Sequence, residues 1–432
     1  MKANNWNWCS LKTIYVLAVI SLFIYLLWGP QFNGIDSQTY MVAWDSILSG
    51  NIDKWRTPTY PIFIGLFKSI IEDKNVFILI ILAQYLLFFI SIRYFYKITS
   101  FLIPSITIGW FLTLVYALHP GIAYWNSYIM TEALSISISV FLLYSVSKIL
   151  RQSYKNIIYF TWWLILLIFL RPSFLYLLPI FILFWFYMAY ISKSMRKMAL
   201  ICLTCVCSIT GIECAYIYKF YQCYGIISPT GISTINQYFL ARENGILKPE
   251  HIEDEGLKAF VMESIDKNGI QYEQCVEIYF EAEKAINTFG LKSVSEAIDN
   301  SKRNELFTWV KKAIKRTYVV SQSELFQCNW PHPLNATKIL FKDIISGTHI
   351  SSLYLLLLIY LGFIIKQVHQ KSNYCYSSLL LLLGSSNIFI IIIGAFWDWS
   401  RLIVPSLPIY LLMFGQLCNL IRLTIVPNEQ LE

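Results

Sequence analysis

Ten windows of mostly apolar residues, each roughly 15 to 22 long, fall at 11–28, 76–95, 101–119, 132–150, 156–170, 172–191, 198–219, 350–367, 377–396 and 402–421. That is the length a helix needs to cross the hydrocarbon layer of a membrane. Inside that layer every backbone N–H and C=O must be satisfied within the protein, which a helix does by itself. The windows predict an all-α polytopic membrane protein with about ten transmembrane helices. Composition agrees, because 56% hydrophobic and only 14% charged residues exclude a soluble domain. The formal charge of +8 is gathered in short basic clusters between apolar windows, a pattern of membrane orientation and not of nucleic-acid binding.

An additional apolar stretch, Pro58 to Ile71, contains Lys68 and is followed by Glu72 and Asp73. If it lies along the interface, Arg93, Lys97, Lys148, Arg151, Lys193, Lys197 and Lys366 share one side, the cytoplasmic side by the positive-inside rule. If it crosses as an eleventh span, that asymmetry is lost. We read Thr57 to Ile71 as a juxtamembrane helix of the first outer loop, 30–75. Residues 13 to 28 have a basic flank but no small-residue cleavage site, and read as a retained first span.

The chain divides into an N-terminal transmembrane module, 1–219, an extracytoplasmic insert, 220–349, and C-terminal transmembrane helices, 350–432. The insert is polar, and its apolar residues recur at helical spacing in "HIEDEGLKAFVMESIDKNG" and "YEQCVEIYFEAEKAINTFG". In its later part Leu306, Trp309, Val310 and Ile314 share a face opposite a lysine/arginine cluster, which fits an interfacial helix or a solvated one equally. Cys202, Cys205, Cys207 and Cys214 read as small core residues, and a disulfide among Cys223, Cys275 and Cys328 stays open. No metal-ligand spacing or phosphate loop is visible, so no cofactor is expected and a divalent metal has no support.

Charged residues at the outer helix ends are costly unless they face water, a cavity or a partner. Asp36 follows the first span and opens an apparent helix, Ser37 to Ser49, whose Tyr40 and Trp44 share its side; the bland alternative is a helix N-cap. Glu132 opens a span in "MTEALSISISV", Arg171 lies in "FLRPSFLYLLP" and Arg401 in "WSRLIVPSLP". The topology puts these four and Arg56 at one membrane level on one side, though each alone also reads as an interfacial anchor or cap.

A carboxylate can act as general base towards a hydroxyl, and arginines bind phosphate and stabilise the charge on a leaving phosphate. Tyr40, Tyr60, Tyr124 and Trp397 would contact sugar or acceptor, although an interfacial aromatic belt accounts for many such residues. Together these residues suggest glycosyl transfer from a lipid-phosphate carrier.

At this point the sequence resembles the GT-C-type integral-membrane glycosyltransferases, the superfamily of protein O-mannosyltransferases and aminoarabinose transferases. The resemblance rests on the order of "GIDSQTY", "RTPTYPIFIGLF", "YIMTEALS", "RPSF" and "WSRLIVPSLPIY", over residues 1 to about 220 and 350 to 421. It implies a GT-C-like bundle and an inverting transferase that takes a sugar from a polyprenyl-phosphate donor on the extracytoplasmic face. The acceptor would be a hydroxyl of a glycan, glycolipid or protein. By the same resemblance Asp36 is the catalytic base, Glu132 the second catalytic acidic residue, and Arg401, Arg171 and Arg56 bind the donor phosphate. The implied location is a bacterial inner membrane with the active site facing the periplasm.

Two other classes fit less well. A polysaccharide polymerase or ligase acting on lipid-linked glycans would concentrate its essential basic residues in later outer loops. A transporter or flippase would show repeated halves and charges near mid-membrane.

Overall fold

The computed structural model describes residues 10–27, 36–70, 76–272, 275–323, 349–369, 374–394 and 399–425. Trp397 and Cys328 lie outside them. Among the described residues the regular elements are helical.

Helix α1, Leu11–Leu27, opens on Ser10, whose Oγ accepts the Thr13 N–H at 3.2 Å. The first loop carries α2, Ser37–Leu48, and α3, Thr59–Lys68. At 1.5 Å per residue α3 is about 15 Å long, half the hydrocarbon thickness, so it does not cross. It packs on α2 so closely at Gly65 that a Cβ there would come within 2.2 Å of the Trp44 indole.

Then follow α4, Val76–Leu102, α5, Ile106–Leu118, the short α6, Pro120–Asn126, and α7, Thr131–Ile149. After them come α8, Lys155–Ile168, α9, Leu177–Ile191, and α10, Arg196–Tyr224. Helix α4 outruns its expected end at 95 and continues to Leu102, just before Pro104, whose ring cannot enter a helix interior. Helix α5 therefore starts late, with Ser105 capping Ile108 N–H at 3.4 Å. Helix α10 ends at Gly225, which takes the left-handed conformation at φ +74°.

Four helices complete the bundle: α15, Ser351–His369, α16, Cys375–Gly394, the short α17, Trp399–Ile403, and α18, Leu407–Ile425. Among the described residues seven helical segments are long and apolar enough to cross a membrane; three shorter apolar helices, Leu11–Phe23, Ile106–Leu118 and Lys155–Ile168, lie where the other three spans were expected. Leu86, Leu183, Phe186 and Leu358 stand more than half exposed on the outside of the bundle, a surface that suits lipid and not water. The chain is an integral membrane protein. Cys207 and Cys214 correct one expectation: they are exposed, because α10 buries only one face, and of the four cysteines there only Cys202 is buried.

Helix α7 is the axis of the bundle. It is enclosed on nearly every side, and its small serines fold back on its own backbone, Ser135 to the Thr131 carbonyl at 2.6 Å and Ser145 to that of Phe141 at 2.9 Å. At these two serines neighbouring helices can approach closely without an unpaired hydroxyl, whereas the buried Ser137 hydroxyl has no hydrogen-bond partner among the described residues.

The insert has its own core. It comprises α11, Ile232–Glu243, α12, Glu255–Asn268, α13, Cys275–Asn304, which breaks at Gly290 with φ +85°, and α14, Leu306–Ser321. Ile235, Phe239, Val261, Ile278 and Ile286 pack together around a fully buried Arg242. Its guanidinium is paired with Glu281 at 3.1 Å and also meets Ser264 and the Ile270 carbonyl, so its burial is compensated. The insert docks on the first loop through Gly231 N–H to the Lys54 carbonyl at 2.7 Å and Tyr224 hydroxyl to the Ile52 carbonyl at 2.8 Å. On α14, Leu306, Phe307, Val310 and Ile314 are exposed, whereas Trp309 turns in against the insert core. The helix enters the membrane bundle at its far end, where Val320 is buried and Thr317 accepts the Tyr354 hydroxyl at 3.4 Å.

Candidate active site

Three loops and a helix start are cross-linked by buried hydrogen bonds at one end of the bundle. Gln84, fully enclosed in α4, donates to the carbonyls of Asn126 at 3.1 Å and Tyr128 at 2.9 Å, fixing the turn that leads into α7. Ser37 donates to the Ile129 carbonyl at 3.0 Å, binding α2 to the same turn. Thr57 Oγ1 donates to the Leu170 carbonyl and Thr59 N–H to that of Phe169, each at 3.1 Å, so the first loop also holds the segment before Arg171. Pro172 keeps Arg171 extended, at φ −150° and ψ 132°, with its side chain clear of a helix.

On this frame five charged residues meet. Arg56 Nη2 pairs with Asp36 Oδ1 at 2.7 Å, and Arg401 Nη2 with Asp36 Oδ2 at 3.2 Å. Glu132, fully buried in the first turn of α7, accepts from Arg171 Nη1 at 3.0 Å and from Arg401 Nε on the same oxygen. Arg401 lies over the Trp125 ring at 5.4 Å and spans both carboxylates. The Asp36 side chain makes no helix-capping hydrogen bond, so the cap reading fails; its carboxylate faces guanidiniums instead. Three cations and two anions leave one positive charge in excess, which suits an entering phosphate.

Burial alone would raise the Asp36 carboxyl, but the charges of Arg56 and Arg401 outweigh it and hold it down at about 2. Asp36 is thus ionised and ready to accept a proton, yet weakly basic while both guanidiniums grip it.

Some expected partners serve otherwise. Arg56 is nearly enclosed, and its three nitrogens donate within the first loop: Nη2 to Asp36, Nε to Thr39 at 2.7 Å and Nη1 to the Tyr40 hydroxyl at 3.1 Å. It holds Asp36 in place and does not face an incoming phosphate. Tyr60 has no exposed surface, sits edge-on to Tyr40 at 4.9 Å and gives its hydroxyl to Gln84 at 2.6 Å, so a sugar cannot reach it. Tyr40, 5% exposed, is wall beneath Arg56. Tyr124 is half-buried against Trp125 and donates to the Tyr128 hydroxyl at 2.9 Å.

A further residue comes from the insert. Tyr279 on α13 lies within electrostatic reach of Asp36 and Arg56: burial raises its hydroxyl, the Asp36 charge raises it further, and Arg56 opposes. One and two turns on, Glu283 faces Lys54 of the first loop and Asn287 accepts from its ammonium at 3.2 Å. The spacing of four along a helix was visible in the sequence; that this face meets the first loop was not.

No protein-family model and no curated protein matches the chain. Among solved structures it is similar to the archaeal oligosaccharyltransferase AglB from Archaeoglobus fulgidus, a GT-C enzyme, in complex with an inhibitory peptide and a dolichol-phosphate. The similarity covers 99% of this chain and 52% of that one, with 12% identity and a TM-score of 0.49. The chain spans about half the length of that enzyme, and at this TM-score nothing below rests on the likeness.

Proposed function

We propose that this protein is a membrane glycosyltransferase that moves a sugar from a polyprenyl-phosphate donor to an acceptor hydroxyl at the extracytoplasmic face, with inversion. The observation that carries the reading is the cluster of Asp36, Glu132, Arg171 and Arg401, two carboxylates and two guanidiniums gathered at one end of a membrane bundle.

In this mechanism the donor's phosphate takes Arg401 and Arg171 as ligands while its lipid tail stays between spans. Arg401 then shares its charge with the phosphate, and the Asp36 carboxylate becomes more basic as that grip loosens. The acceptor oxygen attacks the anomeric carbon from the face opposite the phosphate, its proton passes to Asp36, and the carbon–oxygen bond to phosphate breaks with its electrons on the leaving phosphate. The arginines stabilise that charge as it grows. Arg56 keeps Asp36 aimed, Glu132 holds both phosphate-binding arginines in register, and Tyr279 helps place the acceptor. The acceptor is a glycan, glycolipid or protein hydroxyl, and a bacterial inner membrane with the site facing the periplasm agrees with the basic clusters at the opposite helix ends.

The test is release of free polyprenyl phosphate from radiolabelled polyprenyl-phosphate sugars by purified wild type and Asp36→Asn in detergent, with extracted glycan and glycolipid acceptors. Release by wild type alone, with label on the acceptor, supports the reading. Equal turnover by a folded Asp36→Asn removes Asp36 as the base.

A further inference from the structure

Helix α7 carries Glu132 at one end and Lys148 at the other, sixteen residues or about 24 Å away. At that far end four cations converge from two packed helices: Arg93 and Lys97, one turn apart on α4, and Lys148 and Arg151 at the close of α7. They line two adjoining cavities of about 440 and 270 Å³ that share Lys97. No acidic residue lines either cavity, and among the described residues no carboxylate pairs with any of the four.

Membrane orientation explains why cations lie at this end, but not how they are held. Lys97 lies 5.2 Å over the Tyr94 ring and 5.6 Å over Tyr144, Lys148 lies 5.5 Å over Tyr144, and Arg151 4.1 Å over Phe101. Freely solvated lysines would spread to reduce their repulsion. Here aromatic rings hold three of the four cations, Lys97, Lys148 and Arg151, side by side around shared space while Lys97 and Arg151 stay exposed, so that an anion with several oxygens can reach them and relieve the repulsion. Ile90, which also lines the larger cavity, and Leu86 one turn earlier are exposed on the lipid side of α4, so the groove opens towards acyl chains.

We propose that this groove binds the head group of an anionic phospholipid in the leaflet opposite the Asp36 site, and that a lipid with two phosphates fits it best. Phosphate oxygens meet the lysine and arginine heads, the hydroxyls of Tyr94, Tyr96 and Tyr144 in the lining offer further donors, and the acyl chains lie along α4. Basic pockets between membrane helices are a recognised lodging for such head groups. The inference does not depend on the transfer reaction, and its test does not use activity.

The delipidated protein is titrated with cardiolipin, phosphatidylglycerol, phosphatidylcholine and inorganic pyrophosphate, and bound ligand is counted by native mass spectrometry. Cardiolipin adducts should dominate, weaken in high salt, and bind about ten- to thirtyfold less tightly to Lys97→Ala/Arg151→Ala. Lys193→Ala/Lys197→Ala, which removes two cations outside the groove, should leave binding unchanged. Equal binding by the groove variant, equal binding of phosphatidylcholine, or an equal loss in the control pair overturns the proposal. Pyrophosphate binding as tightly as cardiolipin would also overturn it, in favour of a soluble anion. If the double variant does not fold, the milder Lys97→Gln with the same titration and the wild-type salt series decide the matter.

Discussion

Arg401 reaches Asp36 at 3.2 Å across 365 residues of chain, and the same guanidinium holds Glu132. A planar fork can bridge two carboxylates in this way, whereas a lysine ammonium is a single point of charge. Arg401→Lys should therefore keep the protein folded and lower kcat/KM by about 10²- to 10³-fold, a loss of the size seen when one charge-stabilising donor is removed. Initial rates of polyprenyl-phosphate release by the two proteins test this.

Glu132→Gln should act mainly on stability. Its carboxylate is fully buried and compensates two guanidiniums, so neutralising it leaves Arg171 without its carboxylate and Arg401 with Asp36 alone. Breaking a buried pair from one side costs about 3–5 kcal/mol. Asp36, whose side chain is 23% exposed, should cost less when changed to Asn. Thermal unfolding of both variants in one detergent should rank them in that order.

The pH dependence has a definite sign. The folded Asp36 carboxyl sits at about 2, below its ordinary 3.8, so the unfolded chain binds its proton first. The stabilisation is fully present above about pH 4 and is lost as pH falls towards 2. Between about pH 5 and 8, wild type and Asp36→Asn should keep a constant difference in stability. Below about pH 4 the difference should shrink, which denaturant titrations at stepped pH will show.

Gln84→Leu removes a side chain whose hydrogen bonds go to Tyr60, Asn126 and Tyr128 and to none of the charged five. It would leave the Asn126 and Tyr128 carbonyls and the Tyr60 hydroxyl without their buried partner, at about 1–3 kcal/mol for each group stranded. The turn carrying Glu132 should loosen, so transfer should fall with it. Gln84→Glu, which keeps an acceptor for Tyr60 but removes the two donors, should repair only part of the loss in unfolding temperature.

Gly65→Ala places a methyl group where the Trp44 ring already is. The expected cost is about 1–3 kcal/mol of overpacking between α2 and α3. A smaller partner, Trp44→Leu, combined with Gly65→Ala should recover part of it. Unfolding temperatures of the two singles and the double form the required cycle.

The sequence carried the charged cluster well, because Asp36, Glu132, Arg171 and Arg401 stand at apolar-window boundaries and a membrane allows few places for such residues. One geometric rule, helix ends at one level, was enough to bring them together. Side-chain employment was beyond that rule. Arg56 looked like another phosphate ligand, but "NIDKWRT" folds so that Asp53 accepts its backbone N–H at 2.7 Å and turns the side chain inward. Tyr60 looked like a contact to sugar or acceptor, yet the face of α3 on which it lies is the buried one, where Gln84 of the next helix takes its hydroxyl. Tyr279 was invisible because nothing local in α13 tells which of its faces meets the first loop. The span boundaries moved at Pro104, where local chemistry overrode hydropathy.

Arg316, on α14, pairs with Glu243 of α11 at 3.3 Å and lies 5.7 Å over the Trp399 ring, two residues from Arg401. One side chain is thus shared between the insert and the short helix that presents Arg401. The insert cannot lift away from the bundle without giving up its hold there, nor can that helix turn without tugging on the insert. Movements of the insert and of the arginine that bridges the two carboxylates are geared to one another like two wheels on a common axle.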